Sequence, residues 1–369
     1  MKIAMIGQKG IPAKDGGVER HVEEIATRLA QQKHEITVYC RSTYMNNEID
    51  VYKGVNLKNI KTIDNKNLDA IVYTFKSTMD ALNKGFDAFH YHAIGPASLC
   101  FIPSLKKKKV IVTVHGLDWQ RAKWGKFAKL YLKFGEYMTG KYATKIISVS
   151  ENLREYFIEK YHRKEEDVIF IPNGVNMCNP EQPELIKNYS LEKDNYILFL
   201  ARLVPEKGVH YLIEAYNQLN TYKKLVIAGG TSFTEDYLEK LMVLANNNPN
   251  IIFTGNVDGK LKNELYSNCY IYVLPSDIEG MPLTLLEAMS YKKCCLVSNI
   301  PENINVIKDN GAVFEKSSIE DLKEKIELLL DNEERVREKG LNAYKDISQN
   351  YNWSQIINSM QDLYRDSSL

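Results

Sequence analysis

A chain of 369 residues exceeds what one hydrophobic core usually organises, so two domains are the starting expectation. Its 48 basic and 47 acidic residues leave a net charge of +1, which excludes a nucleic-acid binder driven by bulk charge. Six cysteines (Cys40, Cys100, Cys178, Cys269, Cys294 and Cys295) are scattered without a Cys-x-x-Cys pair, which argues against zinc or redox chemistry and for buried thiols in a reducing cytosol.

The opening "MKIAMIG" enters a strand without the basic, apolar and cleavage segments of a secretion signal, so a cytoplasmic location is expected. Short β-branched or aromatic runs then alternate with longer amphipathic ones, the pattern of a parallel sheet wrapped by helices. Strands are predicted near Lys2–Gly7, Glu35–Cys40, Ala88–Tyr91, Val110–His115, Lys145–Ser150 and Val168–Ile171, with helices near Val18–Gln32, Asp69–Lys84, Lys123–Thr139 and Glu151–Lys160. The uncharged run Phe89–Leu105 holds two histidines, two prolines and a glycine; it reads as a buried strand and a helix, not a membrane span. A polar stretch rich in proline and charge, Cys178–Asn195, reads as a linker. The alternation restarts with strands near Tyr196–Leu200, Lys224–Ala228, Ile251–Thr254, Ile271–Leu274 and Cys295–Ser298. The fold class expected is α/β: two tandem Rossmann-like doubly wound domains, residues 1–175 and 176–352, facing across a cleft at the carboxyl ends of their strands.

The chemistry concentrates at strand ends. In "EGMPLTLLEAM" a turn with Gly280 and Pro282 opens a helix at about Leu283, whose unpaired N–H groups and dipole suit a phosphate. Glu279 stands just before that helix and Glu287 one turn into it. Carboxylates repel phosphate, so these two are expected to bind neutral sugar hydroxyls on either side. In "ARLVPEKG", Arg202 follows a strand and Lys207 precedes a helix, a fork and a point charge that suit a diphosphate leaving group.

The first strand ends in "GQKGIPAKDGGVERH", whose glycines do not fit the dinucleotide fingerprint, but Gly16 and Gly17 still allow close backbone approach at a helix whose first turn holds Glu19. In "FHYHA", His90 and His92 share a strand face, and His92 at the strand end can donate to a sugar hydroxyl or a phosphate oxygen. His115 ends the next strand in "TVHGLD", with Gly116 and Asp118 beside it. No metal site is expected: the histidines and cysteines lack ligand spacing, and no Asp-x-Asp pair occurs. Finally, Trp124, Phe127, Leu130 and Phe134 can line one helix face beside Lys123, Lys126, Lys129 and Lys133, downstream of the run Lys106–Lys109. Such a helix either covers its own core or lies on an anionic membrane surface.

Taken in order, "GGVERHVEEIATRLA", "FHYHA", "TVHGLD", "IISVSENL", "IPNGV", "ARLVPEKG", "LVIAGG", "FTGNV", "LPSDIEGMPLTLLEAM" and "NYNWSQI" make nearly the whole chain resemble the retaining family-4 glycosyltransferases of the GT-B fold. The opening looks closest to a bacterial branch that includes rhamnosyltransferases and other enzymes of capsule, O-antigen or other surface polysaccharide synthesis. The resemblance implies a nucleotide-diphosphate sugar as donor, a glycan or lipid-linked acceptor, no metal, and a last helix, within 353–369, packed back on the first domain. It implies that Arg202 and Lys207 bind the diphosphate, Glu279 the transferred sugar and Glu287 the ribose. Backbone groups from Met281 to Thr284, including Pro282 and Leu283, would face sugar and phosphates. Gly255 to Val257, with Asn256 between them, would lie beside the base, Gly16 and Gly17 would close on the diphosphate, and His92 would reach the donor sugar near the breaking bond. Glu19, His115 and Asp118 fall on the acceptor side, with the loops 44–53 and 118–124. Ala201 stands where the family has glycine, and Asp15 where this branch often has an aromatic. A nucleotide-sugar epimerase on the same fold and a non-catalytic sugar-nucleotide-binding protein are the alternatives.

Overall fold

The computed structural model describes residues 1–14, 16–45, 49–63, 68–121, 124–231 and 234–365. The chain divides into two compact units: residues 1–174 with the C-terminal helix, and residues 175–352.

The first unit carries strands β1 (Lys2–Ile6), β2 (Glu35–Arg41), β3 (Val51–Tyr52), β4 (Val55–Ile60), β5 (Ala88–His92), β6 (Lys109–Val114), β7 (Lys145–Ser148) and β8 (Val168–Phe170). They lie in the order β3-β4-β2-β1-β5-β6-β7-β8, all parallel except the β3–β4 hairpin. Lys53 and Gly54 close that hairpin with positive φ at both, the geometry that matches strand twist. The central strands are buried almost end to end, as expected of a sheet covered on both faces. The covering helices are α1 (Gly17–Gln31), α2 (Asp69–Leu82), α3 (Phe101–Leu105), α4 (Lys126–Tyr142) and α5 (Glu151–Tyr161). Helix α4 starts at Lys126, after Gly125 in an extended conformation. Lys123, expected in that helix, lies outside the described residues, as does Asp15.

In the second unit, β9 (Tyr196–Leu200), β10 (Lys224–Ala228), β11 (Ile251–Gly255), β12 (Ile271–Leu274), β13 (Cys294–Ser298) and β14 (Ala312–Phe314) form a parallel sheet in the order β11-β10-β9-β12-β13-β14. Around it pack α6 (Val209–Tyr216), α7 (Glu235–Ala245), α8 (Gly259–Asn268), α9 (Leu283–Ser290), α10 (Pro301–Ile307), α11 (Ile319–Leu330) and α12 (Glu333–Asn350).

The expected linker, Cys178–Asn195, is not one. Ile186 and Leu191 are fully buried in the second unit's core, and the Glu264 carboxylate accepts the backbone N–H groups of Glu184 and Ile186 at 2.8 and 3.2 Å. Prolines and charges mark its surface; two apolar anchors and a buried acid hold it in place. The units change at Gly174, whose missing Cβ leaves room for the Trp353 indole. There begins α13 (Trp353–Arg365), which sets Trp353, Ile356, Ile357, Met360, Leu363 and Tyr364 into the first unit's core.

Two lysines of the expected basic stretches are structural. Lys109 is buried and donates to the Tyr364 carbonyl at 2.9 Å; Lys145 is buried against the Glu166 carbonyl and Asp167.

Candidate functional site

In the second sheet the strand order reverses at β9, with β10 and β11 on one side and β12 onward on the other. Loops leaving β9 and β12 therefore part on either side of a switch point, where doubly wound sheets bind ligands. Two contacts lock those loops together. The Asp277 N–H donates to the Glu206 carbonyl at 2.9 Å, and Gly208, at φ 67, lies so close to the Pro275 carbonyl that a Cβ would collide with it.

This framework fixes Lys207 against Glu279. Their side chains form an ion pair, 13% and 8% exposed, and Ser276 Oγ donates to the same Glu279 Oε1 at 2.6 Å. The sequence reading gave these two residues separate ligands; the fold pairs them. The ammonium offsets the acid, which lets a carboxylate stand beside a phosphate site at reduced electrostatic cost. Arg202, half-buried at the end of β9, makes no side-chain hydrogen bond or ion pair among the described residues, so its guanidinium keeps its donors for a ligand.

Helix α9 opens at Leu283 after Pro282, with no side chain capping its first turn. Gly280 and Met281 lie in the turn that leads into it, and Met281 packs on the apolar core. Thr284 is pinned by the Tyr272 hydroxyl, 2.9 Å from its Oγ1. Glu287 is held by Lys262 at 2.9 Å and by the Tyr266 hydroxyl at 3.2 Å. Asn256 follows β11, its side chain pressed against Gly230, and Val257 packs on the same core as Met281. Glu302, in the first turn of α10, was not singled out from sequence; burial, with the nearby Glu279 charge, raises its carboxyl.

The first sheet has its own switch point at β1, flanked by β2 and β5. Gly7, at φ 126, ends β1 where a Cβ would strike the His92 carbonyl, so the glycine loop runs directly over the end of β5. Gly16, at φ 91, stands against the Glu19 carboxylate and precedes Gly17, the first residue of α1. Glu19, expected on the acceptor side, is buried and accepts the Lys9 N–H at 3.0 Å, which braces the glycine loop. Asp118 pairs with Arg121 at 3.3 Å.

The two histidines of "FHYHA" differ in kind. His90 has both ring nitrogens satisfied, by the Tyr364 hydroxyl at 2.6 Å and Thr113 Oγ1 at 2.7 Å, and so ties α13 to the sheet. His92 is buried with Nδ1 3.4 Å from His115 Nε2 and with Nε2 unpartnered. His21, on the buried face of α1, joins them; sequence offered only its place on an apolar helix face. Burial holds His92 and His115 well below the usual imidazole range, their histidine neighbours adding to it, and takes His21 down to about 4.

Cationic groups and an uncapped helix start at a switch point are the chemistry that suits a phosphorylated ligand. Comparison with known proteins takes this further. The model described as Glycosyltransferase Family 4 matches residues 15–177, and that described as Glycosyl transferases group 1 matches residues 181–346. The capsular polysaccharide biosynthesis glycosyltransferase CapM of Staphylococcus aureus is 27% identical over 268 residues, 69% of each chain. An Escherichia coli UDP-Gal:alpha-D-GlcNAc-diphosphoundecaprenol alpha-1,3-galactosyltransferase is 25% identical over 389 residues, covering 95% of this chain and 94% of that one. Sucrose-phosphate synthase from Thermosynechococcus elongatus shares the fold, with a TM-score of 0.85 and 21% identity over 99% of this chain and 98% of its own. The chain belongs to the family-4 glycosyltransferases of the GT-B fold, with a group 1 module as its second unit.

Proposed function

We propose that this glycosyltransferase moves a sugar from a nucleoside-diphosphate donor to a hydroxyl of a lipid-linked or glycan acceptor in surface polysaccharide synthesis, with retention of anomeric configuration and without a metal. The observation that carries the reading is the arrangement of Arg202, Lys207 and Glu279 on the two loops at the second unit's switch point. The two cations and the α9 amides meet the charge that grows on the departing diphosphate, taking the part a divalent ion plays elsewhere. Glu279 Oε1 is occupied by Lys207 and Ser276, which suits it to gripping sugar hydroxyls rather than attacking carbon. A phosphate oxygen then receives the acceptor proton on the face the diphosphate leaves. Glu287, with its carboxylate held by Lys262 and Tyr266, receives the ribose hydroxyls.

The names of the relatives support a donor of the UDP-sugar class and a diphosphopolyprenol-linked acceptor. Among the described residues no helix is long and apolar enough to cross a membrane. Approach to a lipid-linked acceptor falls to α4, whose aromatic stripe faces outward with Phe127 91% and Leu130 68% exposed.

The test is transfer of labelled sugar from a panel of uridine, thymidine, guanosine and adenosine diphosphate sugars to a polyprenyl-diphosphate saccharide, with chelator present. Arg202→Ala and Lys207→Ala should each lower turnover by roughly 100-fold, the scale of losing one charge-stabilising donor. Near-normal turnover in both would remove them from the site. An isomerised donor formed without acceptor would favour the epimerase, and an inverted anomer by NMR would end the retaining scheme.

A further inference from the structure

The first unit gathers three imidazoles for which the proposed transfer uses at most one contact. His21 on α1, His92 at the end of β5 and His115 just past β6 each offer a ring nitrogen, and these three atoms lie within 4.8 Å of one another. Their rings form one cluster, with centroids 4.7 Å apart for His21 and His115, 5.8 Å for His21 and His92, and 5.7 Å for His92 and His115.

The hydrogen bonding is incomplete. His21 has the Asn173 side chain as a hydrogen-bonding neighbour but no histidine or carboxylate partner within strict bonding geometry, Nε2 of His92 is buried without a hydrogen bond, and the His92–His115 approach of 3.4 Å is long for one. Neighbouring His90, by contrast, is satisfied at both nitrogens. Buried polar atoms are normally paired, and a group of unpaired ones calls for an unseen partner.

We propose that His21, His92 and His115 form a binding site for a borderline divalent transition ion, of which zinc and cobalt are the natural probes. Metal–nitrogen bonds of about 2.0–2.1 Å in a tetrahedron set ligand nitrogens about 3.4 Å apart. His92 Nδ1 and His115 Nε2 already have that spacing, and with the three ligand atoms all within 4.8 Å the set needs to close by no more than about 1.4 Å. Imidazole ligands alone select zinc, cobalt, nickel or copper over magnesium and calcium, which require oxygen. Three protein ligands leave a fourth position for water or a hydroxyl, the open form of a zinc site. Asn173 lies beside His21 and serves as an orienting partner for its ring.

Occupancy is distinct from the metal-free transfer proposed above. Failure of this site would leave the diphosphate reading intact, because that rests on the second unit.

The experiment titrates the chelator-stripped full chain with cobalt(II) and follows the visible bands of four-coordinate cobalt. One equivalent should generate them, and one equivalent of zinc should abolish them. His21→Asn and His115→Asn should weaken cobalt binding by at least 10–100-fold, the loss that even outer-shell changes cause. His210→Asn, a histidine of the second unit, should leave it unchanged. Wild-type protein that yields only the pale spectrum of six-coordinate cobalt, or no saturation at one equivalent, would overturn the site regardless of how the variants fold. So would full binding in His21→Asn.

Discussion

Glu136 sits on the buried face of α4 and receives the Trp119 indole at 2.6 Å, the Tyr156 hydroxyl at 2.8 Å, the Tyr161 hydroxyl at 2.6 Å and the Lys160 ammonium at 2.6 Å. Burial by itself would raise its carboxyl; the bonds from Lys160, Tyr161, Trp119 and Tyr156 outweigh that and hold it below the usual carboxylate range. A depressed folded pKa means the stabilisation is present above the unfolded value of about 4.3 and lost as pH falls through the folded one. Glu136→Gln should therefore cost about 1.5–3 kcal/mol at pH 7, the scale of hydrogen bonds to a charged group, and much less near pH 3. Urea unfolding followed by tryptophan fluorescence checks this, since Trp119, Trp124 and Trp353 all belong to the first unit. An equal loss at both pH values would contradict it. Sequence gave no hint of this hub, because a glutamate within a basic helix reads as a solvated charge. Pairing was hidden in the same way for Lys207 with Glu279: the residues stand far apart in the chain and meet only because β9 and β12 are neighbours. Arg202, at a strand end, needed no long-range pairing to be found.

Helix α4 covers its own unit with one face and leaves an apolar stripe at the surface. Leu132, Gly135, Glu136, Thr139 and Gly140 face inward, and Phe127, Leu130, Phe134 and Tyr137 are exposed, with Lys126 and Lys133 also at the surface. Small residues let this helix pack closely: a Cβ on Gly135 would strike the Ile94 carbonyl, and one on Gly140 the Tyr161 ring. The aromatic stripe therefore points away from the unit's core and suits an anionic lipid surface. Phe127→Ser with Leu130→Ser should weaken binding to phosphatidylglycerol-containing vesicles, read by sedimentation, by roughly 100-fold or more, since each buried large side chain is worth about 1.5–3 kcal/mol. Equal sedimentation of the variant and the parent chain would end the membrane role. Among the elements, strands with continuous apolar runs were legible to within a residue or two. The two-residue β3 and three-residue β14 were not, because so few residues carry too little pattern, and the six of β4, VNLKNI, mix polar with apolar positions.

At the scale of the molecule, the chain leaves the first unit at Gly174 and returns to it at Trp353. The buried row from Trp353 to Tyr364 makes α13 part of the first core, with Tyr364 bonded to His90 and its carbonyl to Lys109. Deleting residues 353–369 should destabilise the first unit and spare the second, because a cavity the size of a helix opens in one core only. Hydrogen exchange should show early loss of protection in β1, β5 and β6 with β9 and β12 unchanged; uniform loss across both sheets would contradict this. The alternation of strand and helix showed two doubly wound units in advance. Where the linker lay was misread, because proline and charge in Cys178–Asn195 outweighed the two apolar residues that anchor it.

Calorimetric titration of the full chain with uridine diphosphate and its sugars, in the presence of chelator, tests the diphosphate site most directly. Wild-type protein should bind, Arg202→Ala should bind at least roughly tenfold more weakly, as befits loss of a charged hydrogen-bond donor, and Glu287→Ala should weaken the nucleotide itself. Identical affinities for all three proteins, or nucleotide binding that requires an added metal ion, would contradict a site built from protein cations at the second switch point.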